Sequence, residues 1–326
     1  MSRKVRTTPK PQGIREDAII LNNDTFDDYV SRFYKIATSI FEWKNLPDSM
    51  DGEYLEHCLF YKGMAAILKT NEYGFINTKA TVSGDFNIYG RPTQLNCYSY
   101  SFNEIRNVYN GLVRDVDGNI TNDDLRECIL VRNTLLSRPT YNTIRLFALR
   151  LQQIERTIDT NVKRCKDPYI IKGNKEQEMT LRQVFQDIDN NVPALIVEKN
   201  GLDLKDIDAI PLKVEFLGNA LMEYKEKIMN EALTVLGINN LGEKRERLIS
   251  DETNSNNELI NMNLLSYLTP RKQACKEFNE KYGFTGENAI DVEVRSDLDN
   301  IIKREMSSIN KDFGISENTD DMKGNE

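Results

Sequence analysis

Leu236–Asn263 reads LGINNLGEKRERLISDETNSNNELINMN. The stretch is polar, dense in both charge signs and weak in helical apolar spacing. It follows a strongly periodic helical segment and precedes another that the Thr269-Pro270 pair is read to open. Loops of this length inside a compact domain are uncommon and usually functional. At the end of a long helix, such a segment is expected to act as a mobile charged tip. It suits contact with a moving polymer or a partner better than a pocket for a small substrate.

On the N-terminal side of this stretch, Val214, Leu217, Leu221, Tyr224, Ile228, Ala232 and Val235 recur at steps of three and four. A matching helix is predicted after Pro139, where Ile144, Phe147, Leu151, Ile154 and Ile158 keep the same rhythm. Between the two lies an insert, residues 166–212, with Tyr169-Ile170-Ile171, a short helix predicted from Thr180, and the apolar run Val192–Val197. It reads as a small α/β module. The plainest reading is an antiparallel helical hairpin inside one globule. The alternative is a hairpin whose stripes pack against copies of itself.

Toward the N-terminus, Thr25 with Asp28 is read as a capping box opening a helix that carries Phe26, Tyr29, Phe33, Ile36 and Ile40 and ends near FEWKNLP, Phe41–Pro47. A second helix is expected from Asp51 to Lys69. From Tyr73 to Tyr100, Gly74, Gly84, Gly90 and Pro92 punctuate short β-rich runs, which read as strands, with another near Ile129 and Val131. Toward the C-terminus come a helix from Pro270 to Tyr282, a strand from Ala289 to Arg295 and a helix from Asp297 to Ile309. The expected class is α+β, mainly α-helical.

Composition narrows the function. The chain has 326 residues, 39% hydrophobic and 29% charged, with net charge −8. An acidic balance argues against a large basic DNA-gripping face. It does not exclude contact with nucleic acid: a duct that must let DNA slide should repel it rather than grip it, because each neutralised phosphate adds affinity. Arg3, Lys4, Arg6 and Lys10 make residues 1–20 a basic arm, and residues 311–326 form an acidic tail. Both are expected to be disordered. No apolar run is long enough to span a bilayer. Five scattered cysteines, never in a C-x-x-C pair, read as reduced thiols.

Catalytic equipment is sparse. His57 is the sole histidine, so any Ser-His or Cys-His relay depends on it, and its neighbour Cys58 points about 100° away on a helix. No glycine-rich phosphate loop occurs. Val113–Asp124 imitates a calcium loop, but it starts on Val113 and ends on Asp124 rather than a bidentate glutamate. Asp117-Gly118 between short strands favours a hairpin instead. No cofactor and no metal site is expected. The residues alone leave open a metal-dependent nuclease or other phosphoryl-transfer enzyme, and a tail or scaffold adaptor without DNA contact.

Several segments, in order, resemble the portal, or upper-collar head–tail connector, of small short-tailed bacteriophages with protein-primed genomes. They are FEWKNLP (Phe41–Pro47), RPTYNTIRLFALRLQQIE (Arg138–Glu155), TLRQVF (Thr180–Phe185), VPALIVEK (Val192–Lys199), NEALTVLGI (Asn230–Ile238), EKRERLISDETNSNNE (Glu243–Glu258) and RKQACKEFNEKYG (Arg271–Gly283). The resemblance implies a portal fold forming a dodecameric ring with an axial channel for double-stranded genomic DNA. Residues 21–138 and 264–310 would be its wing, 139–165 and 213–238 its channel-lining stem helices, 166–212 its clip, and 239–263 a tunnel loop. Lys244, Arg245 and Arg247 would then touch DNA. The family's pore-facing lysines are not matched position for position: Ala220 stands at one of them, and Lys213, Lys225 and Lys227 are the nearby candidates. The basic arm would meet DNA or an RNA of the motor. Implied partners are the major capsid protein, the packaging ATPase and the lower collar or tail protein, in the virion and away from any membrane. Energy for packaging would come from the ATPase.

Overall fold

A computed structural model of the chain describes residues 13–87, 89–108, 113–114, 120–121, 126–166, 169–172, 208–211, 215–238 and 250–298. Two compact units emerge: a body built from residues up to Leu149 and from Met229 onward, and a hairpin unit of Arg150–Ile228. Helices and antiparallel strands share both, so the fold is mixed α+β.

The body centres on a five-stranded antiparallel sheet with order β5-β4-β3-β2-β8. Its strands are β2 (Met64–Thr70), β3 (Gly74–Phe86), β4 (Pro92–Tyr98), β5 (Asn103–Asn107) and β8 (Cys128–Arg132). The strands expected between Tyr73 and Tyr100 and around Ile129 are all present. The shorter β6 (Val113–Arg114) pairs with β7 (Ile120–Thr121), so the Asp-Gly segment joins a hairpin. Ala66, Leu68, Ala80, Leu95, Cys97 and Cys128 form a wholly buried cluster on the sheet.

The second helix is shorter than expected. α2 spans Gly52–Lys62, capped by Asp51, whose carboxylate accepts from the backbone N–H groups of Glu53 and Tyr54. It stops at Gly63, which adopts φ 76° and whose missing Cβ leaves room for the Ser137 carbonyl. The following Ala65–Leu68 run, read as helix, is β2. It lies between β3 and β8 and is buried on both faces, which erases the alternation that marks a half-exposed strand.

The first helix is longer than expected. α1 runs Gly13–Thr38, and the Thr25 hydroxyl donates to the Leu21 carbonyl one turn back. Thr25 is therefore inside the helix and caps nothing. Residues 13–20, assigned by composition to a disordered arm, are helical. The stripe itself holds: Tyr29, Phe33, Ile36 and Ile40 are buried. Phe41–Lys44, read as the helix end, is strand β1, paired antiparallel with β11 (Asp291–Val294). The strand expected at Ala289–Arg295 is thus β11.

The largest correction concerns the opening stretch. Residues 250–263 are not loop: a single helix, α5, spans Ser250–Tyr282 with Pro270 inside it. Pro270 cannot donate to the Ser266 carbonyl and would ordinarily break a helix; here it is buried against the body. The face that holds α5 is Ile260, Leu264, Tyr267, Arg271, Ala274 and Phe278, a run at alternating steps of four and three. Asn/Ser content, a proline and a buried arginine together hid it.

In the hairpin unit, α3 (Thr140–Lys166) and α4 (Gly218–Val235) run antiparallel. Asn161 of α3 donates to the Glu215 carbonyl and accepts from the Leu217 N–H at the start of α4. The described part of the intervening segment is a two-stranded ribbon, β9 (Tyr169–Lys172) with β10 (Asp208–Pro211). The helix expected at Thr180 and the run Val192–Val197 lie outside the described residues. α4 ends in a Schellman turn. Ile238 N–H bonds to the Leu233 carbonyl and Gly237 N–H to that of Thr234, with Gly237 at φ 78° beside the Leu264 backbone.

Candidate functional site: the hairpin helices and their root

α3 starts from a buried polar node. Arg271 of α5 clamps Glu56 of α2 with both ends of its guanidinium, at 2.9 and 2.8 Å. Its remaining donors go to the Tyr267 and Asn133 carbonyls and the Asn133 side chain. Trp43 donates to the same Glu56, and the guanidinium lies 4.3 Å from the Phe41 ring centroid. Asn133 in turn donates to the Arg138 carbonyl and to Thr140 Oγ1, the first residue of α3. Every donor of Arg271 is used, which a bidentate buried pair requires. Sequence reading missed this node, because its members are spread from Phe41 to Arg271 and no local pattern links them.

The regular apolar stripe of α3 is consumed within the chain. Ile144, Phe147, Leu151 and Ile154 are buried without any second copy present. On α4, Ile228, Met229, Ala232 and Leu233 are likewise buried. The expected α4 stripe divides: Ile228 and Ala232 are buried, whereas Leu217 and Tyr224 stay exposed, so its period reports a face but not what covers the outer part of it. Other apolar side chains left uncovered among the described residues lie on and off these stripes. Leu146, 61% exposed, and Leu149 lie on the body end of α3, and Tyr224, 54% exposed, on α4. On α5, Leu259, Met262 and Leu265 form a second stripe at three-residue spacing, with Met262 63% exposed.

The lysine candidates separate. Lys225 places its ammonium 2.6 Å from Glu155 of α3, each side chain only 7% exposed. It is a cross-link of the hairpin, with its charge turned inward. Lys227 is exposed. Lys213 lies outside the described residues, as do Lys244, Arg245 and Arg247 and the arm residues Arg3, Lys4, Arg6 and Lys10.

His57 sits on α2 in an aromatic group. Its Nδ1 is 3.2 Å from the Tyr34 hydroxyl, and its ring lies 4.9 Å from Tyr61 and 6.1 Å from Tyr54. Burial first, and the Lys79 charge second, hold its pKa below the ordinary value. All five cysteines are free thiols. Burial pushes Cys58 up to about 11 and Cys275 up to about 12, which makes both poor nucleophiles at neutral pH. Among the described residues no group of three His, Cys, Asp or Glu side chains could hold a metal ion, and no helix is long and apolar enough to cross a membrane.

Residues 12–299 match the family model described as Phage Connector (GP10). The chain belongs to the phage connector family. This connector is similar in fold to a chain of the portal and tail of native bacteriophage P68. The identity is 17%, the match covers 94% of this chain and 100% of that one, and the TM-score is 0.45. A portal protein of the HK97 family from Corynebacterium diphtheriae matches at 7% identity over 84% of the connector and 93% of its own length, with TM-score 0.43. A chain from the virion of a native gene transfer agent matches at 11% identity over 97% and 92%, with TM-score 0.38. The assignment rests on the family match. The family is the phage connector family that the resemblance read from FEWKNLP through RKQACKEFNEKYG implied.

Proposed function

We propose that the connector closes into a dodecameric ring at one capsid vertex and that double-stranded DNA passes through its axis during packaging and ejection. The observation that carries this is the apolar surface left over after folding. Leu146, Leu149 and Tyr224, and the α5 stripe Leu259–Met262–Leu265, remain exposed although Ile144, Phe147, Leu151, Ile154, Ile228 and Ala232 are buried. Several large apolar side chains exposed on structural helices mark an interface, and identical copies that meet head to tail close into rings when the rotation permits.

In this ring α3 and α4 line the channel. Lys227 and the segment containing Lys244, Arg245 and Arg247 make transient phosphate contacts. Because the last three alternate with Glu243 and Glu246, the segment is close to neutral and lets DNA slide. The arm with Arg3, Lys4, Arg6 and Lys10 binds a polyanion, DNA or a motor RNA. Segment 166–212 docks the packaging ATPase and later the lower collar or tail protein, and the body meets the major capsid protein. The ring itself performs no chemistry.

Negative-stain imaging with sedimentation tests the proposal. Particles with a central hole are expected at micromolar concentration; a well-folded monomer as the stable species overturns it.

A further inference from the structure

The apolar cluster on the sheet does not end at the protein surface. Met64, Val108 and Leu130, which pack against that cluster, also floor an open groove of about 540 Å³. Its walls come from the β3–β4 turn, the β8–α3 connection and α5, all within the body. Four apolar side chains stand exposed around it: Val82, Phe86, Leu135 and, at 78%, Leu136. Two consecutive exposed leucines over a groove floored by core residues form a surface that water should not own.

The groove is also positively charged, on a chain whose net charge is −8. Arg91 and Arg132 are close enough to repel each other, and burial together with Arg91 lowers the Arg132 pKa. Glu277 is the carboxylate that lines the groove, and it also pairs with Arg126 at 3.9 Å. Among the described residues no carboxylate pairs with Arg91. An occupant must therefore bring apolar side chains and surplus negative charge.

Residues 311–326, outside the described residues, have that composition. They read KDFGISENTDDMKGNE, in which Phe313, Ile315 and Met322 are interleaved with Asp312, Glu317, Asp320 and Asp321. The basic arm has the wrong sign. Fourteen residues separate Leu298 from Phe313, and a chain of that length extends to about 50 Å, ample reach for a surface of the body. We propose that the acidic segment 311–326 is the groove's occupant: Phe313 and Ile315 cover Leu135 and Leu136, and the carboxylates that follow pair with Arg91 and Arg132. The segment thereby completes the core at the root of α3.

The test uses the full connector and a chain ending at Asn310. A fluorescent peptide of residues 311–326 should bind the shortened chain and bind the full chain far more weakly, because the groove is already filled. Its affinity should fall with salt. Leu136→Asp and Arg91→Glu, both exposed positions, should each weaken binding about tenfold, which corresponds to about one lost contact. No binding, or equal binding to both chains and both variants, overturns the proposal. If the shortened chain misfolds, hydrogen exchange on the full chain decides. Changing Asp312, Glu317, Asp320 and Asp321 to amides should unmask the backbone of residues 134–137. Protection there that survives the change means that residues 109–125 or a neighbouring copy's body cover the groove, and the proposal fails.

Discussion

At the scale of single residues, the Arg271–Glu56 pair carries the clearest consequence. A buried pair of this kind is weak evidence of net stabilisation, but breaking it leaves a carboxylate in the core. Arg271→Ala should lower unfolding free energy by about 3–5 kcal/mol, measured by urea denaturation at fixed protein concentration. Arg271→Lys should recover little of it, since one ammonium cannot satisfy Glu56, Asn133 and two carbonyls together. His57 gives a pH dependence of known sign. Its folded pKa lies below the unfolded value of about 6.5, so the unfolded chain binds more protons in acid. Stability should therefore be highest above about pH 6.5 and fall as the pH drops toward and through the lower folded value. As His57 is the chain's sole histidine, His57→Asn should flatten the change in melting temperature between about pH 7.5 and pH 5.5. An unchanged slope would assign that step to carboxylates.

At the scale of elements, the inner and outer faces of the helices should behave differently on substitution. Ile154→Asp puts a charge into the hairpin's own interior at a cost of several kcal/mol, and should yield insoluble chains. Tyr224→Asp, or Leu259→Asp with Met262→Asp, should leave circular dichroism intact while shifting sedimentation from ring to monomer. Rings formed by these outer-face variants would place the subunit contact elsewhere. The same contrast explains what was legible in the sequence. The stripes of α3 and α4 and the strands β3, β4 and β8 were readable because one face of each is buried at a regular period. β2 was not, because Ala65–Leu68 is buried on both faces and resembles helix text. α5 was not, because its burying face contains Arg271, whose partner Glu56 is remote in sequence. The Lys225–Glu155 cross-link was unreadable for the same reason: a lysine's spacing does not say whether its charge turns inward.

At the scale of the whole molecule, the connector should hydrolyse neither ATP nor DNA in isolation, since the sequence carries no glycine-rich phosphate loop and the proposed ring only holds a path open. Turnover that vanishes on changing one acidic residue would refute this. Removing the basic arm should lower polyanion affinity and flatten its salt dependence in proportion to the phosphates released. The node at the root of α3 has a further consequence for biosynthesis. Glu56 and Asn133 wait for Arg271, which lies 215 and 138 residues downstream, and β1 waits for β11 at the far end of the described chain. Translation proceeds from the N-terminus at about 5–20 residues per second, so these partners are missing for on the order of ten seconds or more after the first helix leaves the ribosome. The body therefore closes only near chain completion, and a nascent connector cannot present a finished subunit face before its own synthesis is nearly done. A chain released before Arg271 lacks the partner of Glu56 and Asn133, and in the proposed assembly only subunits that contain it can enter the ring.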